Sequence, residues 1–175
     1  MSAPAAAARH HLVTLRVENK AGVLARVASL FSRRGYNIYS LAVAPTDDER
    51  FSRIAVVVDV ESAPLQQILD QIAKLVNVVE ITELDPERAH VAELLLATVR
   101  RSPEGRRALE EAVAAAGATV VDESEDALTV LLAGAPEALD AFAAALAPHG
   151  IVEVQRTGRV GLPTLGGPGR GRPGG

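Results

Sequence analysis

Twice along this chain the apolar residues switch from alternate positions to helical spacing and back, in the same order. That double switch limits the fold more than any other feature of the sequence. In the first pass, Val13, Leu15 and Val17 alternate with Thr14, Arg16 and Glu18, the two-residue period of a half-buried strand. After Asn19-Lys20-Ala21-Gly22, residues Val23, Leu24, Val27, Ala28, Leu30 and Phe31 form one apolar helical face. A second strand reads from 37 to 44, and Pro45-Thr46-Asp47-Asp48-Glu49 is a turn cluster. Ile54, Val56, Val58 and Val60 mark a third strand. Pro64 opens a second helix with the stripe Leu65, Ile68, Leu69, Ile72 and Leu75, and a fourth strand runs from 78 to 84.

The order βαββαβ gives a four-stranded antiparallel sheet covered by two helices, the ferredoxin-like arrangement. After Asp85-Pro86-Glu87-Arg88 it returns, with strands expected at 93–99, 119–122, 128–133 and 151–156, and helices at 103–116 and 136–147. The fold class is therefore α+β: two ferredoxin-like modules in tandem, over 11–85 and 92–160. Residues 1–10 read as a disordered leader. Residues 161–175 read as a disordered tail, because nearly half are glycine and the stretch buries too little to offset its ordering entropy.

Composition narrows the chemistry. A net charge of -4 gives no basic patch of the kind nucleic acid selects. No cysteine is present, which removes disulfides, thiolate metal sites and a cysteine nucleophile, and fits a reducing cytoplasm. No apolar stretch approaches the ~18 residues of a helical membrane span. The four histidines (His10, His11, His90 and His149) have no metal-site spacing, and the sequence lacks a nucleophile elbow and a phosphate loop. Asp47, Asp48 and Glu49 read as a solvated hairpin tip. Catalytic residues, a metal and a resident cofactor are therefore not expected.

The first strand–helix turn is the one place where residue types converge on a ligand. A helix N-terminus presents free N–H groups and a positive dipole end to a carboxylate. Gly22 removes a side chain where a ligand would approach, and the amide of Asn19 can donate or accept. Asn37 and Ile38, on the second strand, add a second amide beside an apolar residue, a mix suited to a small aliphatic amino acid. The same Asn-x-x-Gly spacing also serves an ordinary strand–helix turn. The second module has no counterpart, with Arg101-Ser102-Pro103-Glu104 in the equivalent place. Leu41, Val43 and Val57 are expected to point away from the helices. An apolar far face would then pack on the second module or on another protomer.

The run from Val17 to Val27 resembles the opening of the ACT domain, a ligand-sensing βαββαβ module. The segments Ser29 to Ile38, Ser40 to Asp47, Lys74 to Val78 and Glu83-Leu84-Asp85 are similar to the small regulatory subunit family of acetolactate synthase (acetohydroxyacid synthase). The likeness is close over about 12–100 and looser beyond, where Glu93-Leu94-Leu95-Leu96 and Gly158-Arg159-Val160-Gly161-Leu162 fit. It implies branched-chain amino-acid biosynthesis. It also implies a large catalytic subunit, carrying thiamine diphosphate, Mg and FAD, that the small subunit activates and subjects to feedback inhibition by valine, with isoleucine or leucine as the alternative effectors. It implies a homodimer through ACT domains, with effector contacts at Asn19, Ala21, Gly22, Val23 and Leu24 of one chain and Asn37 and Ile38 of the other. Tyr39 departs from the family, which commonly has an acidic residue there. The rival readings are a free-standing two-ACT regulator of gene expression or another pathway, and a ferredoxin-like enzyme.

Overall fold

The computed structural model describes residues 10–59, 65–165 and 171–173. The expected leader lies outside them except for His10, and so does Pro64. Contacts divide the chain into two units, one of residues up to His90 together with Arg159 onward, the other Val91–Gly158.

The first unit follows the expected order: β1 (His10–Glu18), α1 (Val23–Arg33), β2 (Asn37–Pro45), β3 (Phe51–Asp59), α2 (Leu65–Ile72) and β4 (Val78–Leu84). Its strands lie side by side as β4-β1-β3-β2, every neighbour antiparallel. Alternation decides what the helices cover. Val13, Leu15 and Val17 of β1 join Ile54, Val56 and Val58 of β3, and close on Val23, Val27 and Phe31 of α1 and Ile68 and Ile72 of α2. Burying one such side chain contributes roughly 1.5–3 kcal/mol.

The second unit repeats the pattern: β5 (Ala89–Arg100), α3 (Arg106–Ala116), β6 (Thr119–Glu123), β7 (Ala127–Gly134), α4 (Pro136–Leu146) and β8 (Ile151–Arg156). The sheet order is β6-β7-β5-β8. Leu95, Ala97, Val99 and Val130 pack on Leu109, Val113, Leu139, Phe142 and Leu146. Arg156 donates to Glu93 and to Asp140, each at 2.6 Å, and so ties β8 to β5 and α4. β5 starts four residues before the expected 93. The Asp85 carboxylate accepts from the Glu87 N–H, caps a 3₁₀ turn at Pro86–Arg88, and leads the chain straight into the strand. α3 starts later than the expected 103, because the N–H of Gly105 donates to the Ser102 hydroxyl across an entering turn.

Two expectations need correction. The first concerns β2. Its register slips at Tyr39: Ile38 pairs with Val58, but Ser40 pairs with Val57. A bulge turns the residues after it to the opposite face. Leu41 and Val43 therefore lie opposite Val56 and Ile54, on the helix-covered face, and not on the far face as simple alternation suggested. Val57 does lie on the far face, where it is fully buried, together with Leu12, Thr14, Ala55, Thr82 and Leu84.

The second concerns the tail. Val160–Pro163 is a strand (β9), and Gly171–Pro173 is another (β10) that pairs with β4 as a fifth, edge strand. The remainder, 166–170 and 174–175, lies outside the described residues. Glycine is what brings the return segment close. A Cβ at Gly161 would stand 2.8 Å from Leu84 Cδ1, 3.0 Å from Leu12 Cδ2 and 3.2 Å from the His90 carbonyl oxygen. The Thr164 N–H donates to the Arg88 carbonyl, and the Arg159 N–H donates to Ser40 Oγ. The Arg159 guanidinium sits over the Tyr39 ring at 5.3 Å, and that ring stacks on His10 at 4.1 Å. Thus part of the far face is covered by the chain's own residues, an occupant that the high glycine content concealed.

Candidate functional site

The turn between β1 and α1 takes its shape from Gly22. Gly22 is the residue before the helix, at φ +83°, in the left-handed region that a side chain resists. A Cβ there would meet nothing within 4 Å. Backbone conformation selects the glycine, and open space lies in front of it. No side chain caps α1. Among the described residues, the N–H groups of Ala21, Gly22 and Leu24 find no acceptor in the chain, while Val23 reaches only the Lys20 carbonyl at 3.3 Å. These are the orphan donors of a helix start, aimed outward with the positive end of the dipole. Val23 is buried in the core, and Leu24 is exposed beside the opening.

Asn19 is fixed from the neighbouring hairpin. Its N–H donates to the Arg50 carbonyl at 2.7 Å, and its side-chain amide donates to the Glu49 carbonyl at 3.0 Å. One amide N–H is thereby committed, and the carboxamide retains a second N–H and an acceptor oxygen. The hairpin tip is itself stiffened. Arg50 donates to both Asp48 oxygens, and this pairing depresses the Asp48 carboxyl to about 2. The acidic tip thus serves to hold Asn19 in place.

A second support, which no sequence spacing reveals, comes from the loop before β4. The Asn77 amide donates to Glu18, and its oxygen accepts from Arg26 at 2.9 Å. Lys20 donates to the same Glu18 carboxylate at 3.1 Å. The hydrogen bond from Asn77, and then that from Lys20, hold Glu18 below the usual carboxylate range, so it is ionised. Asn77 lies in the Lys74 to Val78 segment that carried the resemblance, which was the only sign of it in the sequence.

The structure gathers Asn19, Ala21, Gly22, Val23 and Leu24 at one end of the sheet. Asn37 and Ile38 are at the other. Asn37 pairs with Asp59 and Glu18 with Phe51, eight residues apart along β3, roughly 27 Å at the rise of an antiparallel strand. Ile38 packs against the core of its own unit. Within one chain the two halves of the expected contact set do not meet. A groove of about 250 Å³ runs beside α1, lined by Ala25, Arg26, Ser29, Leu30, Arg33 and Leu75. It shares Arg26 with the Asn77 network and includes none of the seven expected contacts.

Among the described residues, no group of three or more His, Cys, Asp or Glu could hold a metal ion, and no helix is long and apolar enough to cross a membrane.

Residues 13–80 match the family model for the AHAS small subunit-like ACT domain, and 92–164 match that for the small subunit of acetolactate synthase. The acetolactate synthase small subunit of Mycolicibacterium smegmatis is 45% identical over 152 residues, covering 87% of this chain and 89% of that protein. The acetolactate synthase isozyme 3 small subunit of Salmonella typhimurium is 41% identical over 153 residues, 86% of this chain and 93% of the relative. The crystal structure of the small subunit from Thermotoga maritima superposes with a TM-score of 0.83 at 33% identity, covering 91% of this chain and 99% of that one.

Proposed function

Since the chain belongs to the acetolactate synthase small-subunit family, we propose that it activates a large catalytic subunit and makes it sensitive to feedback inhibition by valine. Membership of the family makes it a non-catalytic subunit in branched-chain amino-acid biosynthesis. The chemistry belongs to the partner, which is expected to carry thiamine diphosphate, Mg and FAD, in the cytoplasm. Isoleucine and leucine are the alternative effectors of the same chemical class.

The observation that carries the effector reading is the turn at Gly22. Its unsatisfied N–H groups face a space that no side chain fills. Such donors at a positive helix end suit an amino acid's carboxylate. Asn19, Ala21, Gly22, Val23 and Leu24 supply one wall. The other wall, Asn37 and Ile38, comes from a second copy. β2 is an edge strand with Leu41 36% and Val43 44% exposed, and an open apolar edge favours pairing with another strand. A two-fold antiparallel pairing of β2 with its copy brings one chain's Asn37 toward the far end of the other's sheet. The effector then bridges two chains, and its binding reports their arrangement. To shift an equilibrium it must bind the two arrangements unequally.

The test is an acetolactate assay of the large subunit, with and without this chain, titrated with L-valine. The expected result is a higher rate on adding the chain, and valine inhibition only when the chain is present. A rate and a valine response both indifferent to the chain refute the proposal.

A further inference from the structure

Asn77 stands at the centre of contacts that reach both sides of the effector turn. Its side-chain N–H₂ donates to the Glu18 carboxylate, at the last residue of β1. Its side-chain oxygen accepts from Arg26, in the first turn of α1. Its backbone carbonyl accepts the Glu18 N–H at 2.8 Å. Residues 19–22 lie between these two anchor points. A single residue, more than fifty positions away in sequence, thus bridges the strand end and the helix start.

The chemistry admits only one orientation. A carboxylate has no proton to give and a guanidinium has no lone pair to offer. The amide must present N–H₂ to Glu18 and oxygen to Arg26. Aspartate at this place would keep Arg26 but set a second negative charge against Glu18. Leucine, of similar bulk, would lose both contacts. The short carboxamide of Asn77 serves both neighbours at once.

We propose that Asn77 is a positioning residue for the effector turn, fixing the direction of the free N–H groups of Ala21, Gly22 and Leu24 through Glu18 and Arg26. The inference rests on the assignment of the turn as the effector site. Asn77 makes no contact with the effector itself. It acts by holding the donors in place before the carboxylate arrives, and so contributes to affinity through preorganisation.

The test is calorimetric titration of L-valine into the full chain. Asn77→Asp is expected to weaken binding roughly five- to tenfold, the low end of coupling between sites. The double variant Asn77→Asp with Glu18→Gln reverses donor and acceptor across the contact, while the new carboxylate still accepts from Arg26. It is expected to recover native affinity to within about threefold, a recovery that a generally loosened fold does not give. Thermal unfolding of each variant confirms that the module is folded. Native valine affinity in Asn77→Asp, or a folded double variant that stays as weak as the single one, overturns the positioning role. Gly22→Asp distinguishes the underlying assignment: native affinity in that variant shows that the turn is not the site, whatever Asn77 does.

Discussion

The side-chain amide of Asn19 donates to the carbonyl oxygen of Glu49, thirty residues further on, at 3.0 Å. Together with the Asn19 N–H on the Arg50 carbonyl, it ties the strand–helix turn to the β2–β3 hairpin tip.

Gly22 separates backbone strain from ligand contact. Gly22→Ala places a Cβ in open space but in the left-handed region, so it is expected to cost about 1 kcal/mol of stability in urea denaturation. Valine inhibition should persist, weakened. Gly22→Asp adds a carboxylate in front of the free N–H groups. The expected outcome is a holoenzyme that is still activated but no longer inhibited by valine. Inhibition at the native valine concentration would refute the contact.

Asp48 gives a pH prediction. Its carboxyl is lowered from 3.8 to about 2, first by the Arg50 side-chain hydrogen bond. A depressed carboxylate contributes stability above the unfolded value, and that contribution disappears as pH falls from 3.8 toward 2. A carboxyl-carbon NMR titration should find its midpoint near 2. Arg50→Gln should return it toward the ordinary value and loosen the Asn19 amide signal.

Gly161 tests the return segment. Valine at this position must displace two leucine methyls and cannot displace the His90 carbonyl oxygen. Overpacking of this kind costs about 1–3 kcal/mol. Hydrogen exchange is the direct readout: the Thr164 amide, bonded to the Arg88 carbonyl, should exchange faster in Gly161→Val. Unchanged protection would mean that the contact does not hold the segment.

Arg156 tests the second unit. The Glu93 side chain is only 4% exposed and accepts from Arg156. Arg156→Met leaves that carboxylate buried without its cation, an arrangement that typically costs about 3–5 kcal/mol. Adding Glu93→Gln in the same background should recover part of the loss, as read by urea denaturation. An equal loss in both variants would show that packing, not charge, dominates.

The repeated period switch was enough to order twelve strands and helices, because alternation and helical spacing are local and survive in a single sequence. Apart from the locally capped starts of β5 and α3, the features it missed depend on how distant segments pair and pack. One extra residue at Tyr39 reversed the facing of Leu41 and Val43, and alternation cannot show where a bulge falls. The tail's glycines read as disorder, yet Gly161 is a place where backbone and side chains meet too closely for anything larger. Asn19 and Gly22 were visible as a candidate turn. Glu18, Arg26 and Asn77 were not, since no spacing links residues 18 and 77 until β4 is laid beside β1.

The return of Arg159 onward to the first unit has a consequence for synthesis on the ribosome. The first module's β1–β4 sheet is complete in sequence by Leu84, but Leu12 and Leu84 gain Gly161 only later. The delay from Leu84 to Gly161 is 77 residues of translation, roughly 4–15 s at ordinary elongation rates. During that interval the nascent module carries these leucines without their final cover, at the stage when contact with chaperones or a neighbouring nascent copy is easiest. The unit that begins first is therefore finished last, and a chain cut between the two modules would keep this immature surface permanently.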